Sequence, residues 1–340
     1  MPGETVDIAH VLVVIVNYKN WMDTRECLDF LFRSDYRSFT AIVVDNASGN
    51  DSLQRLMEWA DHAGDPPPAD LPFLTGKLPK PIPYRFFGQH EWERTVIHKD
   101  GLPQLVFLQS DRNGGFAAGN NLALRALAQE DAWVWLLNPD VIVRPDTLGE
   151  SVRFAGSQPF RTISGAVTKN YTAPHAIHTY GGARINRKSG TVTFIKSPAE
   201  LEQLDYISGG ALFTHTAHLR EIGLLSEEYF LYWEETDWCF RARQKGYAIK
   251  VCETAICYDK IGTSIGRGFL AEYYYTRNGL VFLSRYGGRD VFGVRLGFTL
   301  LRLLKRILSG QWGKARGVVS GAMAFLKMSK TAKKKQLENK

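Results

Sequence analysis

The first apolar stretch, VLVVIV from Val11 to Val16, is an unbroken β-branched run without polar alternation, the pattern of a strand buried on both faces. NYKNW breaks the run, and TRECLDFLFRS follows with Cys27, Leu28, Leu31 and Phe32 at the spacing of one helix face. A second run, AIVVD, ends in Asp45 before the turn-forming NASGNDS, so the opening predicts a βαβ unit. Residues 62–104 are rich in Pro and poor in helical periodicity, and their alternating stretches YRFFG and TVIHKDG predict an inserted hairpin or loop-rich excursion. The pattern resumes with LVFLQS, the glycine-rich DRNGGFAAGNN, a helix through Leu122 to Ala128 and the strand WVWLLNPD. A helix is expected from near Pro145, then strands in TISGAVTKN and GTVTFIK, and a helix in DWCFRARQKGY. Strands alternating with helices predict an α/β fold with a mainly parallel sheet flanked by helices, one domain over residues 1–285, with 62–104 as its insertion.

The 340 residues are 44% hydrophobic and 23% charged, enough for a sizeable core and incompatible with wholesale disorder. Cys27, Cys239, Cys252 and Cys257 are scattered without a CxxC pair, which argues against a disulfide framework or structural zinc and for a reducing, cytoplasmic setting. Neither a signal peptide nor a membrane span is expected, since the first apolar run is too short and lacks a basic flank.

Charge changes the picture of the C-terminus. The net +7 hides a segment, 286–340, with 13 Lys/Arg and 2 acids. In VFGVRLGFTLLRLLKRIL, Arg295, Arg302 and Arg306 recur at helical spacing while Phe298, Leu300, Leu301, Leu304 and Leu308 fill most of the remaining surface. That mixture predicts an amphipathic basic helical tail suited to an anionic membrane surface rather than to nucleic acid, with the chain peripheral at the inner face of the plasma membrane. The alternative is a packing helix with a solvated basic stripe. Lys333 to Lys335 are expected in a disordered end.

In open parallel sheets ligands bind beyond the carboxyl ends of the strands. Three predicted strands end in polar groups there: Asn17-Tyr18, Asp45-Asn46 and Asn138-Pro139-Asp140. A dinucleotide-binding G-x-G-x-x-G is missing after the first strand, and no P-loop is present. The segment from Asp111 to Asn121 lies between a strand and a helix, where glycines such as Gly115 admit close backbone approach and Arg112 adds positive charge. Asp140 closes a predicted strand at a turn from which a carboxylate could hold Mg²⁺ or Mn²⁺ against a diphosphate, but one carboxylate makes a poor site alone, so phosphates, waters and Asp259 downstream are the candidates to complete it. In Glu234-Glu235-Thr236-Asp237 the acids open a helix, which suits its dipole, yet Phe230, Tyr232, Trp233 and Trp238 crowd them with rings that raise a carboxyl pKa toward general-base use. Arg241 and Arg243 are alternative, purely structural partners for these acids.

From about Val11 to Tyr286 the chain resembles the inverting, nucleotide-sugar-dependent glycosyltransferases of family 2, especially rhamnosyltransferase-like members. The motifs stand in order as IVNYKN, VVDNASGNDS, RNGGFAAGNN, LLNPD, ISGGALF, YWEETDWCFRARQKGY and YYYTRNGL. The resemblance implies a GT-A fold, a Rossmann-like single domain. It implies that Asn17 and Asp45 grip the base and ribose, that Arg112 and Asn113 lie in the nucleotide-sugar loop, and that Gly209 and Gly210 line the donor sugar and acceptor. Asn138 and Asp140 match the family's metal motif, usually Asp-x-Asp, and Glu235 matches its catalytic base, with Asp237 the next candidate. Where relatives carry a metal-binding His in His-x-x-Gly-x-Ser, this chain has Asp259 followed by Lys-Ile-Gly-Thr-Ser. The implied activity is metal-dependent transfer of a sugar, rhamnose being one candidate, from a dTDP- or UDP-linked donor to a polysaccharide or lipid-linked oligosaccharide. A non-catalytic nucleotide-sugar-binding or membrane scaffold subunit is the alternative.

Overall fold

The computed structural model describes residues 9–62, 78–260, 268–287 and 291–338. The N-terminal residues 1–8, most of the proline-rich stretch (63–77) and the Ile-Gly-Thr-Ser following Lys260 lie outside the described residues.

The β-branched runs form β1 (Val11–Asn17) and β2 (Phe39–Asp45), joined by α1 (Trp21–Leu31), whose N-cap Asn20 accepts a hydrogen bond from the Asp23 N–H. After α2 (Ser52–Asp61) come β3 (Tyr84–Gly88), α3 (Gln89–Arg94), β4 (Leu105–Gln109), α4 (Gly115–Leu127), β5 (Trp133–Leu137), β6 (Val141–Val143) and α5 (Thr147–Ser157). The second half holds β7 (Thr162–Asn170), β8 (Ala173–Tyr180), β9 (Gly182–Asn186), β10 (Thr191–Phe194), β11 (Tyr206–Ile207), β12 (Ala211–His215), α6 (Thr216–Ile222), α7 (Glu234–Gln244) and β13 (Ala248–Asp259). Three helices close the chain: α8 (Phe269–Tyr286), α9 (Val291–Leu308) and α10 (Trp312–Glu338).

The main sheet runs β3-β4-β2-β1-β5-β12-β7-β13-β6, and β9, β10 and β11 make a small second sheet. From β3 to β5 every neighbour is parallel, whereas β12 inserts antiparallel between β5 and β7. Alternation along β1 explains the two-layered core: Leu12 and Val14 pack on one side of the sheet, Val11, Val13 and Ile15 on the other. The α/β expectation holds; among the described residues of 62–104, where a hairpin or loop-rich excursion is expected, the alternating stretches do not pair with each other. YRFFG becomes an edge strand parallel to β4, and TVIHKDG is loop and a short 3-10 turn, because Trp92 of α3 is buried against the sheet and directs the chain back along it.

The C-terminal helices also depart from expectation. They are no appendage, since Val294, Phe298 and Phe325 belong to the same core layer as β1 and α8. The segment around Lys333 to Lys335, expected to be disordered, lies within α10. Nor is the basic stripe solvated: Arg302 and Arg306 turn inward to pair with Glu272 of α8, a carboxylate only 5% exposed.

Candidate active site

Parallel register brings the carboxyl ends of three strands side by side, with Asn17 opposite Asp45 and Asp45 opposite Gln109. The predicted pair is thus brought together, with its polar groups turned on each other. The Asn17 amide donates to Asp45 Oδ1 at 2.7 Å and accepts from Thr24 Oγ1 at 2.9 Å. Both oxygens of Asp45 are engaged, by Asn17, by the Ser48 hydroxyl and N–H, and by Gln109 Nε2. A fully buried amide and a saturated carboxylate shape the turn at this edge. Asn17 and Asp45, expected to grip base and ribose, thus spend their side-chain hydrogen bonds on one another and on Thr24, Ser48 and Gln109. Gln109, which sequence reasoning missed, completes this network.

The glycine-rich segment caps α4 beside that edge. Asn113 Oδ1 accepts from the Gly115 N–H and from Asn46 Nδ2, closing the loop, while Arg112 is exposed at its rim. Gly115 has φ +85°, and a Cβ built on it would stand 2.0 Å from the Phe230 carbonyl oxygen. That proximity, and the Phe116 N–H bond to the same oxygen at 2.9 Å, gives the glycine an intramolecular reason. Gly115 is thus moved from the expected donor contacts to the packing of the protein's own backbone.

The turn that Gly115 abuts presents the acids. Phe230, Tyr232 and Trp233, on either side of Leu231, have φ of 65°, 66° and 76°, left-handed values that non-glycine residues rarely adopt. The turn is held from α8: Asn278 Nδ2 donates to the carbonyls of Tyr229, Leu231 and Tyr232, and Arg277 Nη2 to those of Glu228 and Tyr229. Both residues lie in YYYTRNGL, a segment noted in the sequence without any role drawn from it.

At the turn's end α7 begins, and its acids divide sharply. Glu235 is half-buried, with the backbone N–H donors of its own residue, Gly209 and Thr236 near its carboxylate. Burial pushes its pKa up to about 6 against the opposing pull of those donors. Glu234 is buried with Oε2 unpartnered, and burial, then the neighbouring Glu235, drives its carboxyl well above the ordinary range. Asp237, the next candidate base, is placed differently. It is 1% exposed and accepts from Tyr229, Tyr286, Arg241 and Arg285, so it bolts α7 to α8 and has nothing left for a substrate. Arg241 takes the structural role foreseen for it; Arg243 instead donates to the carbonyls of Leu204 and Asp205.

Gly209 and Gly210 join the halves of the site. An added Cβ on Gly209 would lie 3.7 Å from the Glu235 carboxyl carbon and 3.3 Å from the Phe116 ring; one on Gly210 would lie 3.8 Å from Asn138 Nδ2. The Asn138 N–H donates to the Gly210 carbonyl at 3.1 Å. Asp140 follows, 5% exposed, its carbonyl accepting from the Lys260 N–H, and β13 ends beside it so that Asp259 faces Val141 in the antiparallel register. Burial, then the charge of Asp140, raises the Asp259 carboxyl to about 7. Lys260 does not relieve this pair, because its ammonium is engaged by Asp23 and Glu26.

A divalent cation fits this donor set on chemical grounds. The neighbouring carboxylates of Asp140 and Asp259 and the buried, unpartnered Oδ1 of Asn138 are hard oxygen donors, as Mg²⁺ and Mn²⁺ prefer. Among the described residues no cluster of three His, Cys, Asp or Glu gathers, so water and a diphosphate would complete the shell.

No family model matches the chain. Among curated proteins it is similar to the low-salt glycan biosynthesis hexosyltransferase Agl10 of Haloferax volcanii, with 25% identity over 244 residues, 71% of this chain and 64% of that protein. The chain thus has hexosyltransferase homology while spanning just under two thirds of that relative's length. Among solved structures it is similar to the mannosyltransferase PcManGT from Pyrobaculum calidifontis, in complex with GDP-Man and Mn²⁺, at a TM-score of 0.55, 13% identity, and coverage of 94% of this chain and 88% of that one. The fold is GT-A. GalNAc-T7 with UDP, GalNAc and Mn²⁺ shares it at a TM-score of 0.55 and 12% identity, covering 90% of this chain and 58% of that one. No helix of the described residues is long and apolar enough to cross a membrane.

Proposed function

We propose that the chain is an inverting glycosyltransferase that moves a hexosyl group from a nucleoside diphosphate to a hydroxyl of a saccharide or lipid-linked oligosaccharide. The observation that carries this reading is the Gly209–Gly210 bridge, in which the first glycine adjoins the Glu235 carboxylate and the second adjoins Asn138 at the start of the Asn138 to Asp140 turn. Side-chain-free glycines leave room for a sugar ring between a base and a diphosphate site.

Glu235 takes the proton from the acceptor hydroxyl; the oxygen attacks the anomeric carbon, and the electron pair of the breaking C–O bond leaves with the diphosphate from the opposite face. Configuration inverts. Arg112 at the loop rim and a divalent cation held by Asp140 and Asp259 would supply positive charge to the departing diphosphate. Asn17 and Asp45 act by fixing the turn beneath the nucleotide. The acid limb of turnover follows Glu235 deprotonation, because its raised pKa sets a base nearer to neutrality.

The hexosyltransferase homology and the donor-bound structures of the same fold support a nucleotide-sugar donor. Rhamnose from dTDP rests on the motif resemblance alone, beside UDP- and GDP-linked hexoses. A lipid-linked acceptor places the enzyme at a membrane, and peripheral association through the basic C-terminal helices belongs to this reading. Glu235→Gln should keep donor binding while lowering turnover roughly 10²-fold or more, with the product anomer inverted relative to the donor. Near-normal turnover would defeat the base assignment. Donor binding without transfer to any acceptor would favour the scaffold alternative.

A further inference from the structure

Helix α9 is turned the opposite way from a helix that packs by its apolar face. Its inner row, Val294, Phe298, Arg302 and Arg306, packs on α8, and the two arginines reach the buried Glu272. Its outer row, two residues or about 200° away at each step, is Phe292, Leu296, Leu300, Leu304 and Leu308. All five are exposed, from 46% at Leu300 to 85% at Leu308. Trp312, 66% exposed, continues the row into α10 beside an apolar groove lined by Phe269, Ile307 and Val319. A helix in water hides its leucines and shows its arginines. Here the inward pull of Glu272 fixes the reverse, and an apolar row about 24 Å long is left facing outward.

We propose that this outer face of α9, with Trp312, is a docking surface for an anionic lipid bilayer, lying flat with its leucines in the acyl boundary. The argument for lipid is the charge around the row. Lys305 of α9 and Arg316, which lines the groove beside Trp312, are exposed, in a segment with 13 Lys/Arg against 2 acids. A second copy seated on the same face in a two-fold contact would oppose like charges, whereas acidic headgroups complement them. This surface deepens the reading of a membrane-bound acceptor but stands on its own observations.

The test is flotation of the full chain, without donor or acceptor, on phosphatidylcholine vesicles with and without phosphatidylglycerol. The wild type should float with the anionic vesicles, less at high salt, and the Leu296→Ser/Leu300→Ser/Leu304→Ser variant should partition at least about tenfold less. These side chains are exposed, so the variant should keep the wild-type melting temperature. Failure of the wild type to float, undiminished flotation of the variant, or a dimer in light scattering that the variant dissolves would each overturn the proposal. The readout needs no turnover, so a chain that docks without transferring sugar refutes the enzymatic reading alone, and an active chain that ignores vesicles refutes this one alone.

Discussion

Replacing Asn278 by Ala removes the clamp on the left-handed turn ahead of Glu235. One amide group with two hydrogens serves three carbonyls, at 2.6, 2.7 and 3.1 Å. The Tyr229 carbonyl keeps Arg277 and the Leu231 N–H, so the loss falls on the carbonyls of Leu231 and Tyr232. At about 1–3 kcal/mol for each acceptor stripped of its partner, less where water enters, the fold should lose roughly 2–4 kcal/mol. The turn stores strain of the same order, about 1–3 kcal/mol for each of its three left-handed residues, so without the clamp it relaxes and carries the start of α7 with it. A displacement near 1 Å at Glu235 lowers turnover by about 10²-fold. Urea unfolding measures the first effect; kcat and donor KM, with the acid limb of the pH profile, measure the second. Asn278→Asp, which matches the volume but offers no amide hydrogen, should be at least as damaging. A variant destabilised as expected but with unchanged kcat and acid limb would refute the positioning argument, and a stability loss below about 1 kcal/mol would refute the energetic one.

Asp237→Asn removes the carboxylate partner of Arg241 and one of the two carboxylate partners of Arg285, which keeps Glu228, and should cost roughly 1–3 kcal/mol in thermal or urea unfolding while the surviving folded fraction keeps most of its turnover. Glu234 holds its proton in the fold because burial raises its pKa; the native state therefore loses stability as pH rises above the ordinary carboxylate range, where the unfolded chain ionises freely. Glu234→Gln should accordingly stabilise the protein at pH 8, change little below about pH 4, and spare activity, as denaturation at the two pH values and rate measurements will show. Asp140→Asn should abolish the stabilisation that Mn²⁺ adds in the presence of nucleoside diphosphate, read as a thermal shift, without altering the metal-free melting temperature by more than a few degrees.

Much of the site's ground plan is legible in the chain alone. The unbroken β-branched runs require strands buried on both faces, and strands so buried end at a common edge, which is why Asn17, Asp45 and the Asn138 to Asp140 turn converge. Local pattern cannot show where a polar group spends its hydrogen bonds. Glu235 and Asp237 are two positions apart at the start of one helix and so point about 200° apart. Which of them meets solvent and which meets Arg241, Arg285 and two tyrosines depends on α8, some forty residues later. Gly115 is flexible by type, but that its missing side chain makes room for the Phe230 carbonyl follows from a contact across more than a hundred residues.

The same division holds at the C-terminus. Residue order alone determines that Arg302 and Arg306 share one side of a helix and that leucines occupy the other, because a period of 3.6 residues fixes relative directions around an axis. It leaves open which side faces the protein, since both a greasy and a basic flank can be buried. Tertiary structure decides that by placing a carboxylate, Glu272, in the wall against which the helix lies: an unpaired buried charge is so unfavourable that the arginines go inward and the leucines are left outside.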